Sequence, residues 1–129
     1  MVGYFGPFVP KLRRRTKEIY IFERRNLTAD VLPDWAVERL LPTCDVVILT
    51  ALSLVNGSLD HLLELAQGEV AMIGPTAPLT PLLGEYGVDH LFGSVVTDPD
   101  RLMTVVSQAG GTPRFGSATR KVHLTLKGE

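Results

Sequence analysis

The residue types best able to grip a ligand fall in a few short stretches. These are Gly3-Tyr4-Phe5-Gly6, Glu23 with Arg24 and Arg25, the run from Thr50 to Gly57, and Gly74-Pro75-Thr76. A glycine turn between a strand and a helix lets backbone N–H groups face an anion or carboxylate, and Thr76 adds a hydroxyl. Glu23 stands just after a strand-like run, where a dinucleotide fold places the acid that hydrogen-bonds a ribose. Thr50, Ser53 and Asn56 supply further polar groups of the same kind. Each also has a plainer reading. Glu23 suits a solvated carboxylate paired with Arg24 or Arg25, Gly74 a tight turn capped by Thr76, and Asn56-Gly57-Ser58 a turn and helix cap.

Several sharper chemistries lack their spacing. A dinucleotide fingerprint needs G-x-G-x-x-G opening a helix, but Phe5 replaces the middle glycine and prolines follow at Pro7 and Pro10. No G-x-S-x-G surrounds Ser53, so it is not marked as an activated nucleophile. Cys44, His61, His90 and His123 fall in no C-x-x-C or H-x-x-x-H pattern and read as surface or packing residues.

The elements that must position these groups alternate along the whole chain. Glu18–Phe22, Asp45–Leu49, Glu69–Ile73 and Val88–Phe92 read as strands, and Met1-Val2 as the stub of another. Helices are expected over Phe8–Arg15, Pro33–Leu41, Ser58–Ala66, Thr80–Tyr86 and from Asp98-Pro99 to Gly110-Gly111. Arg13-Arg14-Arg15 then reads as a solvated helix end. Trp35 lies at the margin of its helix's apolar stripe of Val37, Leu40 and Leu41, which suits half-buried packing or a partner interface.

Strand–helix alternation predicts a single three-layer α/β domain of Rossmann-like layout, with a mainly parallel five-stranded sheet and helices on both faces. Residues 1–111 form its core and 112–129 an extension, in which Lys121–Leu126 alternates like a sixth, edge strand or a dimer-swapped arm. Ligands of such sheets bind in the crevice beyond the carboxyl ends of the strands. Gly3 to Gly6, Glu23 to Arg25, Thr50 to Gly57, Gly74 to Thr76 and Gly93-Ser94 all fall on that side. His61 does as well, whereas Cys44 and His90 open their strands at the opposite edge.

Composition narrows the partners. Hydrophobic residues make up 45% of the 129 and charged ones 21%, an ordinary globular balance. Thirteen basic and fourteen acidic side chains leave a net charge of −1, so no global field draws the chain to nucleic acid or an anionic membrane. The apolar run Val46–Val55 is too short to span a bilayer. The single cysteine excludes an internal disulfide, and no leader pattern opens the chain, so the expected location is the cytoplasm.

Taken together, VGYFGPFVPKLR, IYIFERR followed by DVLPDW, CDVVILTALSLVNGSLDHLLELA, MIGPTAPLTPLL and GVDHLFGSVVTDPDRLMTVVSQAGGT resemble the Putative heavy-metal chelation domain family of bacteria and archaea. The resemblance implies a Rossmann-like domain that usually forms the C-terminal half of a larger protein. Its usual N-terminal partner is an enolase N-domain-like fold, and the cleft between the two holds the presumed site. It carries over the loops Gly3 to Pro7, Glu23, Thr50 to Gly57 and Gly74 to Thr76. The function so implied is binding of a small ligand, metal ion or metal chelate in the crevice.

Two alternatives stay open. One is an enzyme using a nucleotide-like cofactor, its site completed by the missing half. The other is a non-catalytic interaction module that pairs with a separate domain or with a second copy as a homodimer. The short Met1-Val2 stub suits a chain that starts where a larger protein crosses between domains.

Overall fold

A computed structural model describes residues 1–25 and 29–127. The β-branched runs become β1 (Val46–Thr50), β2 (Glu69–Ile73), β3 (His90–Val96) and β4 (Thr119–Thr125). They form a four-stranded sheet in the order β1-β2-β3-β4. β1, β2 and β3 are parallel, and β4 runs antiparallel to β3 at the edge. Beyond β1 the sheet continues, among the described residues, as single-residue bridges: Val2 pairs with Leu49 and with Phe22, and Phe22 pairs with Leu32.

The helices are short: α1 (Val9–Arg13), α2 (Val37–Leu40), α3 (Leu52–Val55), α4 (Leu59–Leu65), α5 (Leu82–Glu85) and α6 (Pro99–Ser107). Prolines and glycines crowd their ends, so most last little more than a turn. A 3-10 turn, Asp34–Ala36, leads into α2. Among the described residues only α6 has a side-chain N-cap: Asp98 accepts a hydrogen bond from the Arg101 N–H at 3.0 Å, with Pro99 in its first turn. No helix among the described residues is long and apolar enough to cross a membrane.

Strand alternation sorts the core into two faces. Val47, Leu49, Val70, Met72 and Leu91 pack with Val37 of α2, Leu59 and Leu62 of α4 and Leu83 of α5. Ile48 points the other way, onto Val9, Leu12, Ile21 and Val31. Leu49, Met72 and Leu91 are wholly buried, and each such side chain contributes about 1.5–3 kcal/mol of hydrophobic stabilisation. The face opposite the main core is less covered toward β3 and β4, where Phe92 and Val96 are partly exposed.

Sequence expectation and structure differ at several places. Glu18–Phe22 is extended but pairs only at Phe22. Its neighbour is Met1-Val2, and two residues offer hydrogen bonds for one bridge rather than a ladder: the Phe22 N–H donates to Met1 O and the Gly3 N–H to Phe22 O, both at 2.9 Å. The expected five-stranded sheet is therefore a sheet of four strands among the described residues.

The strand expected to end at Phe92 runs on to Val96, because β4 pairs with it along its whole length, from His90↔Thr125 to Val96↔Thr119. Gly93 and Ser94 thus lie inside β3 rather than in a loop. A Cβ at Gly93 would sit 2.8 Å from the Leu79 Cδ2, so glycine lets the loop after β2 cross the strand closely. The tail pairs with its own chain's β3 as the edge strand of the sheet. Part of the Thr50–Gly57 stretch coils into α3.

Candidate functional site

Parallel strands followed by right-handed crossovers put their carboxyl ends and the helix starts on one edge. At that edge lies a cleft of ≈ 590 Å³ between the turn after Val2, the end of β1 and the starts of α2 and α4. Gly3, Tyr4, Phe5, Glu23, Thr50, Ser53 and Asn56 all line it. Gly6, Gly74 and Thr76 lie outside its lining. Gly6 is drawn into the turn leading to α1, its carbonyl accepting from the Val9 N–H.

Gly3 has a structural reason to be glycine. Its φ is +96°, and a Cβ there would stand 3.1 Å from the Cβ of Thr50. Gly74 has a φ of +156° and would bring a Cβ to 3.1 Å from that of Ala51. Its N–H donates to Phe92 O at 3.0 Å, so the turn after β2 is pinned to β3 rather than open to the cleft. Thr76 is exposed.

Much of the polar lining is engaged internally. Ser53 is buried, and its hydroxyl donates to the Thr50 carbonyl at 2.8 Å. Thr50 Oγ1 accepts from the Leu52 N–H at 3.3 Å. Asn56 Oδ1 accepts from the Ser58 N–H at 3.1 Å and the Ser58 hydroxyl at 2.7 Å, closing the turn before α4. Glu23 Oε1 accepts from the backbone N–H groups of Arg24 at 2.8 Å and Arg25 at 3.4 Å. Both contacts of Glu23 with these arginines are thus to backbone. The Arg24 guanidinium turns to Asp34, Nε to Oδ2 at 3.1 Å.

His61, placed on the crevice side by the sequence but read there as a surface or packing residue, and Glu38, which the sequence did not single out, form a pair in the cleft. His61 of α4 meets Glu38 of α2, Nε2 to Oε1, while its Nδ1 lies 4.0 Å from Glu64. The Glu38 hydrogen bond and negative charge push the His61 imidazole above its usual value. The pair is exposed, so the His61 imidazole faces solvent and any incoming ligand. Together with Arg24 and Arg25 it gives the cleft a cationic side, against the carboxylates of Glu23, Asp34 and Glu38. Such a site can hold an anion and deliver or accept a proton at His61. The signal was available: crossover geometry brings helix starts, as well as loops, to the carboxyl edge. Extending that rule, which already placed His61, to the first turns of α2 and α4 adds Asp34, Glu38 and Ser58.

A larger hollow of ≈ 890 Å³ opens at the opposite edge, beside Met1, Tyr20, Cys44 and Ile48. The Cys44 thiol donates to Leu40 O at 3.3 Å, and burial pushes its pKa up, which keeps it a poor nucleophile or metal ligand. Among the described residues no three His, Cys, Asp or Glu side chains converge as a metal cage.

Sheet, crossovers and cleft define an α/β protein with a mostly parallel sheet and a charged hollow at its carboxyl edge. The chain belongs to the DUF364 family, described as Putative heavy-metal chelation, whose model matches residues 1–125. An uncharacterized protein of Methanocaldococcus jannaschii is 33% identical over 132 residues, covering 98% of this chain and 51% of the relative. A DUF364 crystal structure from Desulfitobacterium hafniense superposes with a TM-score of 0.84 at 33% identity, covering 96% of this chain and 50% of that one. Another, from Pyrococcus horikoshii, gives 0.82 at 29% identity, covering 96% and 53%. The chain spans about half the length of these relatives.

Proposed function

We propose that this chain forms one wall of a cleft that binds an anionic small ligand, a metal chelate being the class that best fits its family. The observation that carries the reading is that the Glu38–His61 pair lines the same carboxyl-edge hollow as Arg24 and Arg25. A chelate such as a metal–citrate complex presents carboxylates to the arginines and the imidazolium. It also leaves the ion open to Glu23 or Glu38. The mostly parallel α/β sheet, with the hollow at the edge where such sheets take their ligands, supports the same placement. The relatives' extra length supports a partner domain, enolase N-domain-like by the family resemblance, as the opposite wall.

A second reading is an enzyme with a nucleotide-like cofactor, completed by that partner. The observation favouring it is His61 itself, an exposed imidazole whose hydrogen bond to the Glu38 carboxylate raises its pKa, the direction that suits a general acid. Thermal denaturation with zinc–citrate tests the binding reading. Selective binding to the folded chain at a hundredfold excess over Kd adds about 2.7 kcal/mol and raises Tm by several degrees. Glu38→Gln and His61→Ala should each shrink that rise. No rise with zinc–citrate, or an equal rise in both variants, removes the proposal.

A further inference from the structure

At the other edge of the sheet, far along the strands from the cleft, three titratable side chains form a line. Glu69 opens β2, His90 opens β3, and His123 lies within β4. Glu69 Oε1 is 2.7 Å from His90 Nε2, and His90 Nδ1 is 3.1 Å from His123 Nε2. Strand register explains the meeting. Ala71 pairs with His90 and Phe92 with His123, so all three groups are diagonal neighbours on one face. Phe92 stacks on the His123 ring, with centroids 4.2 Å apart and planes 2° from parallel, and this fixes the ring's plane.

The carboxylate settles which nitrogen of His90 carries hydrogen. Glu69 accepts from Nε2–H, which leaves the Nδ1 lone pair pointing at His123. That is the arrangement in which a carboxylate orients a metal-binding imidazole. The gap between the facing nitrogens, 3.1 Å, is close to the bite of two imidazoles on one tetrahedral ion. Zinc–nitrogen bonds of about 2.05 Å at the tetrahedral angle place the nitrogens about 3.3 Å apart. An ion would sit about 1.2 Å off the line joining the two nitrogens, so each ring turns to aim its lone pair at it, and the hydrogen that His123 Nε2 now directs at His90 Nδ1 moves to His123 Nδ1.

We propose that His90 and His123 chelate a divalent first-row transition ion, with Glu69 as the positioning residue for His90. Imidazole pairs suit Zn²⁺, Ni²⁺ and Cu²⁺, and water or a small chelator fills the remaining positions. The ion would pin the edge strand β4 to β3. The site is separate from the cleft and does not depend on what the cleft binds.

Calorimetric titration of the full chain with Zn²⁺ in a non-coordinating buffer tests it. The expected result is one ion per chain, with affinity at least tenfold weaker in His90→Asn and in His123→Asn. Glu69→Gln should weaken zinc about tenfold while leaving the metal-free Tm in place, which a purely structural contact would not do. Imidazole-nitrogen NMR on the unaltered chain gives a second measurement that needs no variant. Zinc should shift His90 Nδ1 and His123 Nε2 and spare His61. The proposal fails if the unaltered chain takes up no zinc at millimolar concentration. It also fails if a His90→Asn/His123→Asn double variant still binds one ion at full affinity, or if the nitrogens that shift are those of His61.

Discussion

The two edges of the sheet are built by opposite means. At the carboxyl edge, helix starts and turns converge on a hollow, and its charged pairs, Glu38–His61 and Arg24–Asp34, join separate elements across solvent. At the amino edge, Glu69, His90 and His123 stand on adjacent strands, and backbone ladders set their spacing. Groups on a ladder are held rigidly with no help from a partner. Groups on loops and short helices are adjustable, and a second domain or a ligand can reset them. The carboxyl edge is therefore suited to recognition that closes around something, and the amino edge to fixed two-point chelation.

This contrast can be broken most forcefully at the scaffold both edges share. A Cβ at Gly68 would lie 2.2 Å from the Asp45 carbonyl oxygen and 2.4 Å from that of Cys44, which are backbone atoms with nowhere to go. Gly68→Ala should cost on the order of 4 kcal/mol and shows as a collapse of the urea midpoint. An unchanged midpoint would mean that the approach of the turn to the start of β1 is not a real constraint.

Gly3→Ala should cost less, roughly 1–3 kcal/mol, from the left-handed backbone and the Thr50 contact. Its signature is local. Amide exchange should quicken at Gly3 and Thr50, where Val2 bridges β1, while the β3–β4 ladder stays protected. Equal loosening at both edges would erase the distinction between them.

Asp89 sharpens the comparison through pH. Burial alone would raise its pKa. The Val70 N–H at 2.8 Å and the Lys127 ammonium at 3.1 Å outweigh burial and hold it below the ordinary aspartate value. A carboxylate depressed in the folded state stabilises the fold fully above its unfolded pKa of about 3.9, and that stability is lost as pH falls through the lower folded value. Asp89→Asn should cost about 1 kcal/mol at neutral pH and flatten the acid limb of the stability curve below about pH 4. An acid limb as steep as that of the unaltered chain would contradict the assignment.

The smallest stability effect belongs to the cleft. Glu38 and His61 are exposed partners, so His61→Ala should change stability by no more than about 0.5 kcal/mol while changing binding. A large loss of stability would make the pair a structural strut.

What the sequence disclosed follows from how each signal arises. β2 was legible residue for residue, and β1 to within one, because a strand buried on both faces is a continuous apolar run. The reach of β3 to Val96 was hidden by Gly93 and Ser94, whose strand conformation depends on β4 and on Leu79, both distant in sequence. Glu18–Phe22 showed the composition of a strand, but a ladder also needs a partner, and Met1-Val2 is too short to be one. Loops of the cleft were found from the rule that strand ends face the crevice. Glu38 was not, since its role comes from α2 and α4 meeting, and no spacing within α2 records that. The Glu69–His90–His123 line depends on register across three strands and has no local motif at all.

The central claim is that the carboxyl-edge cleft is where this chain meets its ligand. Amide ¹H–¹⁵N NMR of the chain titrated with zinc–citrate tests this residue by residue, and it separates cleft binding from zinc alone at His90 and His123. The account predicts that the shifts gather at Gly3–Phe5, Glu23, Glu38, Thr50–Ser58 and His61. Shifts confined to β3 and β4, or none at any residue, would contradict it.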